Sequence, residues 1–506
     1  MIKPPGKILI IGGGIAGLCA GVFAQSCGYE AVIIEAENCV GGLATSWRRG
    51  DYRFETCLHW LLGSNPESEM YHEWGEVFDI DKVSFVNFDE FGRWESEQSE
   101  TLRIFSDVDK LEEELLQKAP ADAEEIKRFT SAIRRFTDLP MPEPDSSVIH
   151  QGLAMLRMAP LLPLFQRWSG ASASEYGQRF SNHLLRRFFS EGATGRMSAL
   201  ALALPLSWMN GRNAGYAIGG ARSIIELIEK RFTSLGGVIR TNARVDKIIV
   251  EDDTVVGVRL ATGELIKGDW VISGADGRSV IYDMLDGKYK NEAIDDLYKR
   301  GETFPSYVQV SLGVAQDLSQ EPPHVSRVLK APLQLDPETA LNVVSFRILN
   351  FDPTLAPPGK TSVTCFLPTY NHAYWVGLHD ADKAGYEKEK IRVADEVIAI
   401  LDRRTAGLRG CVETIDVSTP ASVIRHTGNW KGSMEGWLLM PRAGYAPMRQ
   451  TLPGLDRFLM VGHWIQPGGG LPAGLMTARM ALKSICRRDG VAFTPERSGG
   501  GTSKAA

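Results

Sequence analysis

Three glycines near the N-terminus have the spacing Gly-x-Gly-x-x-Gly, at Gly12, Gly14 and Gly17. In a turn between a strand and a helix, this spacing is typical of sites that bind the pyrophosphate of a dinucleotide. The first glycine permits the tight turn, the second lets the backbone approach the phosphates, and the third lets the helix pack closely on the sheet. The helix N-terminus adds free N–H groups and a partial positive charge. The pattern therefore predicts a dinucleotide site.

The surrounding residues predict the elements that such a site requires. Lys7 to Ile11 is an apolar run that predicts a strand, small residues then predict a helix to about Cys27, and a second strand should end at Glu35. Glu35 follows Gly17 by 18 positions, which suits a carboxylate that bonds the ribose hydroxyls. Because all of these features agree, a glycine turn without a ligand is the weaker interpretation.

Two segments after Glu35 indicate which dinucleotide binds. Residues 39–45 read CVGGLAT, with a second glycine pair just beyond the second strand, and residues 54–63 read FETCLHWLLG. With the first turn, they resemble the flavin-containing amine oxidase and phytoene desaturase superfamily. In that superfamily an acidic strand end, a Gly-Gly turn and a segment of the form F-[DE]-x-G-x-x-[WH]-x-x-G surround FAD. The resemblance implies FAD as the cofactor.

The resemblance returns in two later parts of the chain. Gly219 to Ser223 opens a predicted helix to Thr233, and Val245 lies in a segment that meets the adenine side in the family. Residues 455–472 resemble the closing strand and helix start that contact the ribityl chain and the flavin ring. The resemblance implies FAD contacts from Gly12, Gly14, Ile15, Ala16, Gly17, Glu35, Ala36, Gly42, Leu43, Ala44, Val245, Gly462, His463, Gly470, Leu471 and Pro472. No cysteine lies between Gly462 and Ala481, so we expect non-covalent binding.

Within the superfamily, the stretches 351–369 and 419–437 resemble the branch of phytoene desaturase, carotenoid isomerase and retinol saturase. Three positions depart from the family pattern. Leu43 stands where many relatives have an arginine near the pyrophosphate, and Cys57 stands where a glycine is usual. His463 replaces an acidic residue that often bonds the ribityl hydroxyls.

Flavin hydride chemistry needs few protein groups beyond those that hold a C–H or C=C bond over the ring and exclude water. We place His59 and Trp60 nearest the ring, because the matching family segment passes it. His59 would be a proton donor or acceptor near neutral pH, or else a histidine bonded to backbone in a packed turn. Arg425, His426 and Glu435 either face the pocket or belong to a lid or sheet edge.

The spread of the nucleotide signals along 506 residues predicts one domain built from separate segments. The expected fold is α/β with α+β inserts: a Rossmann-type FAD-binding domain and a substrate domain of mixed sheet plus helices. A helical pattern starts at Asp107, strands are expected at 307–314 and 361–366, and a helix at 387–402. The predicted division is 1–104, 216–290 and 446–490 for the FAD-binding domain, 105–215 for a helical insert, 291–445 for the substrate domain, and 491–506 for a disordered tail.

Composition excludes several other classes of protein. A net charge of −6 and a pI of about 5.9 give no general attraction to nucleic acid. The seven cysteines have no Cys/His spacing of a metal site, so we expect no metal and no disulfide framework. They resemble reduced thiols of a cytoplasmic protein. We see neither a signal peptide nor an apolar run long enough to span a membrane.

One segment bears on partners. Residues 148–190 contain five arginines and one glutamate among many apolar residues, a local excess of +4. This composition suits an interfacial segment that dips into a bilayer surface and admits a lipophilic substrate. Under this interpretation the protein is cytoplasmic with peripheral contact to the inner face of the membrane. The alternative is a pair of core helices broken at Pro160 and Pro163.

The sequence therefore predicts an FAD-dependent oxidoreductase that desaturates, saturates or isomerises carbon–carbon bonds of a lipophilic isoprenoid or polyene. A flavin amine oxidase is one alternative. A non-catalytic prenyl-lipid carrier, similar to the escort proteins of prenylated GTPases, is another. No second Gly-x-Gly-x-x-Gly is present, so the electron partner should be external: a quinone, oxygen, an electron carrier or a transient nicotinamide.

Overall fold

The computed structural model describes residues 5–56, 58–97, 100–137, 162–191, 195–441 and 448–498. In chain order, the strands are β1 Lys7–Ile11, β2 Glu30–Ile34, β3 Ser46–Arg49, β4 Tyr52–Glu55, β5 Leu61–Leu62, β6 Phe85–Val86, β7 Glu90–Ser96, β8 Thr101–Phe105, β9 Ala214–Ala217, β10 Val238–Arg240, β11 Val245–Glu251, β12 Thr254–Leu260, β13 Leu265–Lys267, β14 Trp270–Ser273, β15 Ser306–Val314, β16 His324–Asp336, β17 Thr339–Ile348, β18 Thr361–Thr369, β19 Val412–Ser418 and β20 Phe458–Met460. The α-helices are α1 Ile15–Ser26, α2 Glu69–Val77, α3 Val108–Lys118, α4 Ala123–Thr137, α5 Leu162–Ser169, α6 Ala173–Gly177, α7 His183–Ser190, α8 Leu200–Asn210, α9 Gly220–Ser234, α10 Glu292–Arg300, α11 His372–Ala381, α12 Lys383–Arg404, α13 Pro420–Thr427 and α14 Gly470–Asp489. Shorter helical turns cover Ile80–Lys82, Pro120–Asp122, Ser279–Met284, Leu408–Cys411 and Trp430–Gly432.

A parallel sheet holds the nucleotide signals. Its strand order is β10-β2-β1-β14-β20, so strands from three distant parts of the chain lie side by side. Ile8 and Ile10 of β1 pack on the helices of one face, which include α1, α9 and α14. Leu9 and Ile11 pack on the opposite face with residues of the β11-β12-β13 sheet. The α/β fold is therefore as the sequence predicts, and β1 and α1 match their predicted limits closely.

A larger mixed sheet has the order β19-β15-β18-β17-β16-β7-β8. Its strands are antiparallel to their neighbours except for the pair β16 and β7. Alternate residues such as Val310, Phe346 and Cys365 form an apolar core with Trp375 of α11 and Val397 of α12. Strands β7 and β8 belong to this sheet, although they precede the helical segment along the chain.

The helical pattern after Asp107 forms two helices. The Asp107 carboxylate accepts hydrogen bonds from the N–H groups of Asp109 and Lys110, at 2.9 and 3.0 Å, and so caps α3. Helix α3 ends before Pro120, and α4 follows at Ala123. Helices α3 to α8 share a second apolar core. Among the described residues, no helix is long and apolar enough to cross a membrane.

The prediction of a disordered tail is wrong for residues 491–498. The rings of Phe493 and Phe23 lie 5.7 Å apart, and the N–H of Ser498 donates to the carbonyl of Gly75 at 2.7 Å. An apolar side chain therefore holds this segment on the fold, and the Gly/Ser-rich composition begins only after it. Residues 499–506 lie outside the described residues. The predicted domain limits stay a prediction.

Candidate active site

A continuous cavity of about 1630 Å³ runs from the β1–α1 turn to the helical insert. Ordinary ligand pockets measure about 300–1,000 Å³, so this volume suits a large cofactor together with a substrate. All of the predicted cofactor residues except Gly17 line it. The cavity thus joins segments that are hundreds of positions apart in sequence.

The β1–α1 turn forms a cradle of backbone at one end. Gly12 has a φ of +91°, a left-handed conformation that favours glycine. A Cβ on Gly17 would collide with the Gly12 carbonyl oxygen, so Gly17 permits the turn rather than touching a ligand. Gly14 has a φ of −70°, and a Cβ there would meet no protein atom within 4 Å. The space beside Gly14 is the space in which a pyrophosphate would lie.

The second glycine pair completes the cradle. The N–H of Gly41 donates to the Gly13 carbonyl at 2.9 Å. A Cβ on Gly42 would lie 3.3 Å from the Cα of Gly14, and its φ is +58°. The two turns touch backbone to backbone, which explains why the sequence has glycine on both sides of the contact.

Glu35 lies just beyond the end of β2, on the cavity wall. Its carboxylate accepts hydrogen bonds from the N–H groups of Gly13, at 2.6 Å, and Glu37, at 2.8 Å. Each oxygen keeps a further lone pair, so the carboxylate is fixed in position and still able to accept from ribose hydroxyls. Ala243 and Val245 line the wall beside it.

His463 follows β20 and faces the same cavity near the start of α14. Burial lowers the pKa of its ring to about 4, so the ring is neutral at physiological pH. Within the described part of the chain, its buried Nε2 has no hydrogen-bond partner. A ligand hydroxyl would supply that partner. The open cradle at Gly14, the fixed carboxylate of Glu35 and this ring nitrogen all fit FAD. Leu43 also lines the cavity, whereas Cys57 lies outside the described residues.

His59 and Trp60 line the middle of the cavity. The His59 ring lies 5.8 Å, between centroids, from both Trp60 and Phe366. Burial lowers the pKa of His59 well below its ordinary value, and the nearby positive charge of Arg347 and the His324 ring lower it further. A ring that stays neutral can accept a proton only at a high cost, which favours a structural role for His59, and its assignment as a proton donor or acceptor stays a prediction.

A buried polar network supports this region from the large sheet. Arg347 of β17 lies opposite His324 of β16 and forms an ion pair with Glu55, at 3.5 Å between Nη1 and Oε1. Glu55 also accepts from the Tyr216 hydroxyl, at 3.2 Å, and from the N–H of Ala221, at 3.1 Å. Burial nevertheless raises the pKa of Glu55. The network joins the first turn of α9 to the end of β4 and to β17.

Sequence reasoning missed several cavity residues on the large sheet. They share an orientation toward the cavity, opposite the apolar core, and include Tyr307, His324, Val343, Ser345, Phe366 and Pro368. The His324 ring stacks on Phe91 at 5.8 Å, and burial together with Arg347 lowers its pKa to about 4. The strands alternate as expected, but nothing in that pattern reveals which face adjoins a cavity.

The family profile described as flavin containing amine oxidoreductase matches residues 15–399, more than half of the chain. The chain belongs to this family. The family supplies FAD and oxidoreductase chemistry, in agreement with the sequence prediction, and the cavity has room and ligands for the cofactor.

Relatives and solved structures agree with this assignment. A lycopene-forming phytoene desaturase from Pseudescherichia vulneris is 26% identical and covers 96% of this chain and 99% of its own length. A chloroplastic prolycopene isomerase from Daucus carota is 27% identical over 53% of this chain and 44% of its own length. A cyclohexylamine oxidase structure from Brevibacterium oxydans has a TM-score of 0.62 at 13% identity, covering 96% of this chain and 99% of that one. The last similarity shows the fold alone. The relatives place the chain in the phytoene desaturase-like branch, as the sequence predicts.

Substitutions in the glycine turn should separate cofactor loss from misfolding. We expect Gly14→Val to fold and to lose bound FAD, because its side chain would enter open space in the cradle. Gly17→Val should fail to fold, because its Cβ would overlap the Gly12 carbonyl. Thermal unfolding and flavin absorbance after gel filtration measure both effects. A Gly14→Val protein with full flavin content would contradict this site.

The buried ion pair should dominate local stability. Arg347→Met leaves the Glu55 carboxylate buried without its cation, which should cost about 3–5 kcal/mol in the free energy of unfolding. The control is Arg240→Met, which removes an ion pair with Glu264 in which the Arg240 side chain is 37% exposed and the Glu264 side chain 49% exposed. Because this pair is near the surface, its loss should cost about 1 kcal/mol or less. Urea denaturation of the holoprotein measures the difference. Equal losses would contradict the role of the network.

Proposed function

We propose that this protein desaturates or saturates carbon–carbon bonds of a lipophilic isoprenoid or polyene, with FAD as the redox cofactor. The observation that carries the proposal is the continuity of the cavity: the FAD cradle opens directly into a long apolar chamber. The similarity to a phytoene desaturase and to a prolycopene isomerase supports a polyene substrate.

The apolar chamber lies between the large sheet and the helical insert. Its walls in the insert consist mainly of aromatic and aliphatic side chains from α4, α5 and α8, among them Phe136, Phe165, Leu200, Leu204 and Trp208. Such a lining offers apolar contact along an extended hydrocarbon and few hydrogen bonds. A long polyene fits this arrangement better than a small polar amine.

The chain's own residues bind, orient and shield the substrate. When bound, FAD supplies the acceptor or donor of a hydride. Trp60 and Phe91 form an edge-to-face pair, 5.7 Å between centroids, that narrows the middle of the cavity beside Phe366. These rings would hold a flat conjugated chain and exclude water. We propose His59 as a neutral positioning group in this wall.

The alternatives receive less support. Amine oxidases among the solved structures match at low identity and show only the shared fold. A non-catalytic carrier would have no need of the intact cradle at Gly14 and Glu35. The electron partner remains part of the proposal, and we infer an external quinone, oxygen or carrier protein.

We propose membrane contact for a shorter segment than the 148–190 that the sequence predicts. In α7, Leu184, Leu185 and Phe189 are buried. The Arg186 guanidinium donates to the Phe180 carbonyl at 2.9 Å, and Arg187 pairs with Glu191 at 2.7 Å. These contacts favour the core-helix alternative for 183–190. Residues 148–161 lie outside the described residues.

Helix α5 is the better candidate for contact with lipid. Leu162 is 53% exposed, while Phe165 on the same helix lines the cavity. A helix with one apolar side chain outside and another inside lies where a lipophilic substrate could pass from a membrane surface into the chamber. We propose α5 as this point of access.

The function is tested by flavin reduction without oxygen. We expect an isoprenoid polyene substrate to bleach the visible flavin absorbance in proportion to desaturated product, because hydride transfer converts one cofactor per bond. A saturase would instead reoxidise pre-reduced flavin, and an isomerase would show no net change. Rapid bleaching by simple amines, with none by polyenes, would support the amine oxidase alternative.

A cavity-filling variant controls this assay. Ala201 lines the chamber on α8, so Ala201→Trp should block a long polyene while FAD stays bound. Ala201→Ser should retain the response. If Ala201→Trp reduces as fast as the wild type, the chamber is not the substrate site.

The access proposal predicts a specific loss at the membrane. Leu162→Glu should weaken co-sedimentation with anionic liposomes and slow turnover of liposome-embedded polyene, because a charge enters the apolar contact. Turnover of detergent-dispersed polyene should not change. The control is Ile391→Glu on α12, an apolar side chain that is 62% exposed and far from the helical insert in sequence. Equal effects of the two variants would contradict the access role of α5.

A further inference from the structure

Glu435 occupies a rigid turn on the cavity wall. The Ser433 hydroxyl accepts from the N–H of Gly436 at 3.1 Å, and the Gly436 carbonyl accepts from the N–H of Phe304 at 2.9 Å. A Cβ on Gly469 would lie 2.6 Å from the Cβ of Glu435, so the turn packs tightly on the loop before α14. That loop belongs to the segment which, by resemblance, contacts the flavin ring.

Glu435 is half-buried and lines the cavity, and its carboxylate differs from the fully buried carboxylates of this region. Glu35, Glu55, Asp276 and Asp352 each accept at least two hydrogen bonds from N–H or O–H groups. In the described ranges, no hydrogen bond or ion pair reaches the side chain of Glu435. Because Glu435 lines the cavity and its carboxylate has no bond within these ranges, its oxygens are free to contact a ligand there.

The surroundings keep this carboxyl near its titration point. Burial raises the pKa of Glu435 to about 7. Among the described residues, the titratable groups near it are Tyr307 of β15, whose own pKa is raised by burial and by the Glu435 charge, and His463, a neutral ring beside Gly436. Beyond them, Arg196 and Glu302 neutralise each other in an ion pair of 2.6 Å. A group of this kind gives and takes protons efficiently near neutral pH.

We propose that Glu435 is the catalytic base that takes the proton released from the substrate when a new carbon–carbon double bond forms. The proposal rests on the proposed function and names the residue that completes it. Of the candidates named from the sequence in the described ranges, His59 is a weak base, because burial and Arg347 lower its pKa, and Glu35 is bonded at the nucleotide end.

The step balances without another reactant. One carbon loses a hydride, with its two electrons, to oxidised FAD. The adjacent carbon loses a proton to the Glu435 carboxylate, and the electron pair of that C–H bond becomes the new π bond. The external acceptor of the proposed function then removes the two electrons, the hydrogen transferred as hydride leaves as a proton, and the proton on Glu435 returns to water. In saturation, protonated Glu435 delivers the proton.

The first test needs no substrate. We expect the absorbance of bound FAD to shift with an apparent pKa near 7 in the wild type, because a charge then appears on the cavity wall next to the loop before α14. Glu435→Gln should bind FAD fully and lose that shift. Glu124→Gln, on an exposed side chain of α4, should keep it. A shift that persists in Glu435→Gln would overturn the proposal.

The pH dependence of folding stability provides a second test of Glu435, and its direction follows from the pKa shift. The folded pKa of Glu435 lies above its ordinary value, so its contribution favours folding at pH 5 and is lost as pH rises through about 7. The melting temperature of Glu435→Gln, measured relative to that of the wild type, should therefore rise as the pH increases from 5 to 8. Parallel curves would contradict a buried ionisation at this position.

Turnover then separates this proposal from the proposed function. For polyene desaturation, the wild-type kcat/KM should rise with pH through about 7, and Glu435→Gln should lose about 10²-fold in kcat together with that rise. Glu435→Asp should restore part of both. Retained turnover in Glu435→Gln with an unchanged pH profile overturns the role of Glu435. If no polyene reacts with the wild type, the proposed function fails, and the proposal that rests on it falls too, whatever the flavin titration shows.

Discussion

The contact between the β1–α1 turn and the Gly41–Gly42 turn is the constraint on which the rest of the structure depends. Two backbones meet there without side chains, and the hydrogen bond from Gly41 to Gly13 joins them. The N–H of Gly13 in turn donates to the Glu35 carboxylate and fixes it. A single junction therefore sets the position of the phosphate cradle, the ribose ligand and the start of α1 together.

The sequence predicts well those parts of the fold that depend on interactions between residues close together in the chain. The glycine turns, the strand before them and the cap at Asp107 each depend on residues a few positions apart. The contacts of the large sheet could not be predicted in this way, because His324 and Arg347 become neighbours only when β16 pairs with β17. The electrostatic state of His59 depends on that pairing as well.

Charge along the cavity is distributed with a clear order. The hydrogen-bonded carboxylate of Glu35 lies at the nucleotide end, the histidines that line the cavity are neutral, and the helical insert contributes mostly apolar side chains. Burial keeps the histidines uncharged, since an imidazolium there would face Arg347 or an apolar wall. A hydrocarbon ligand therefore meets few charges that it would have to desolvate.

The two faces of the large sheet have a consequence for how this protein can change. On β18, Val363, Cys365 and Leu367 belong to the apolar core, whereas Phe366 and Pro368 line the cavity. Neighbouring positions on one strand are thus constrained differently: one by the packing of the core and the next by the shape of the ligand. Variation confined to every second residue can reshape the chamber while the folding core stays intact, which gives the scaffold a built-in route to new substrates.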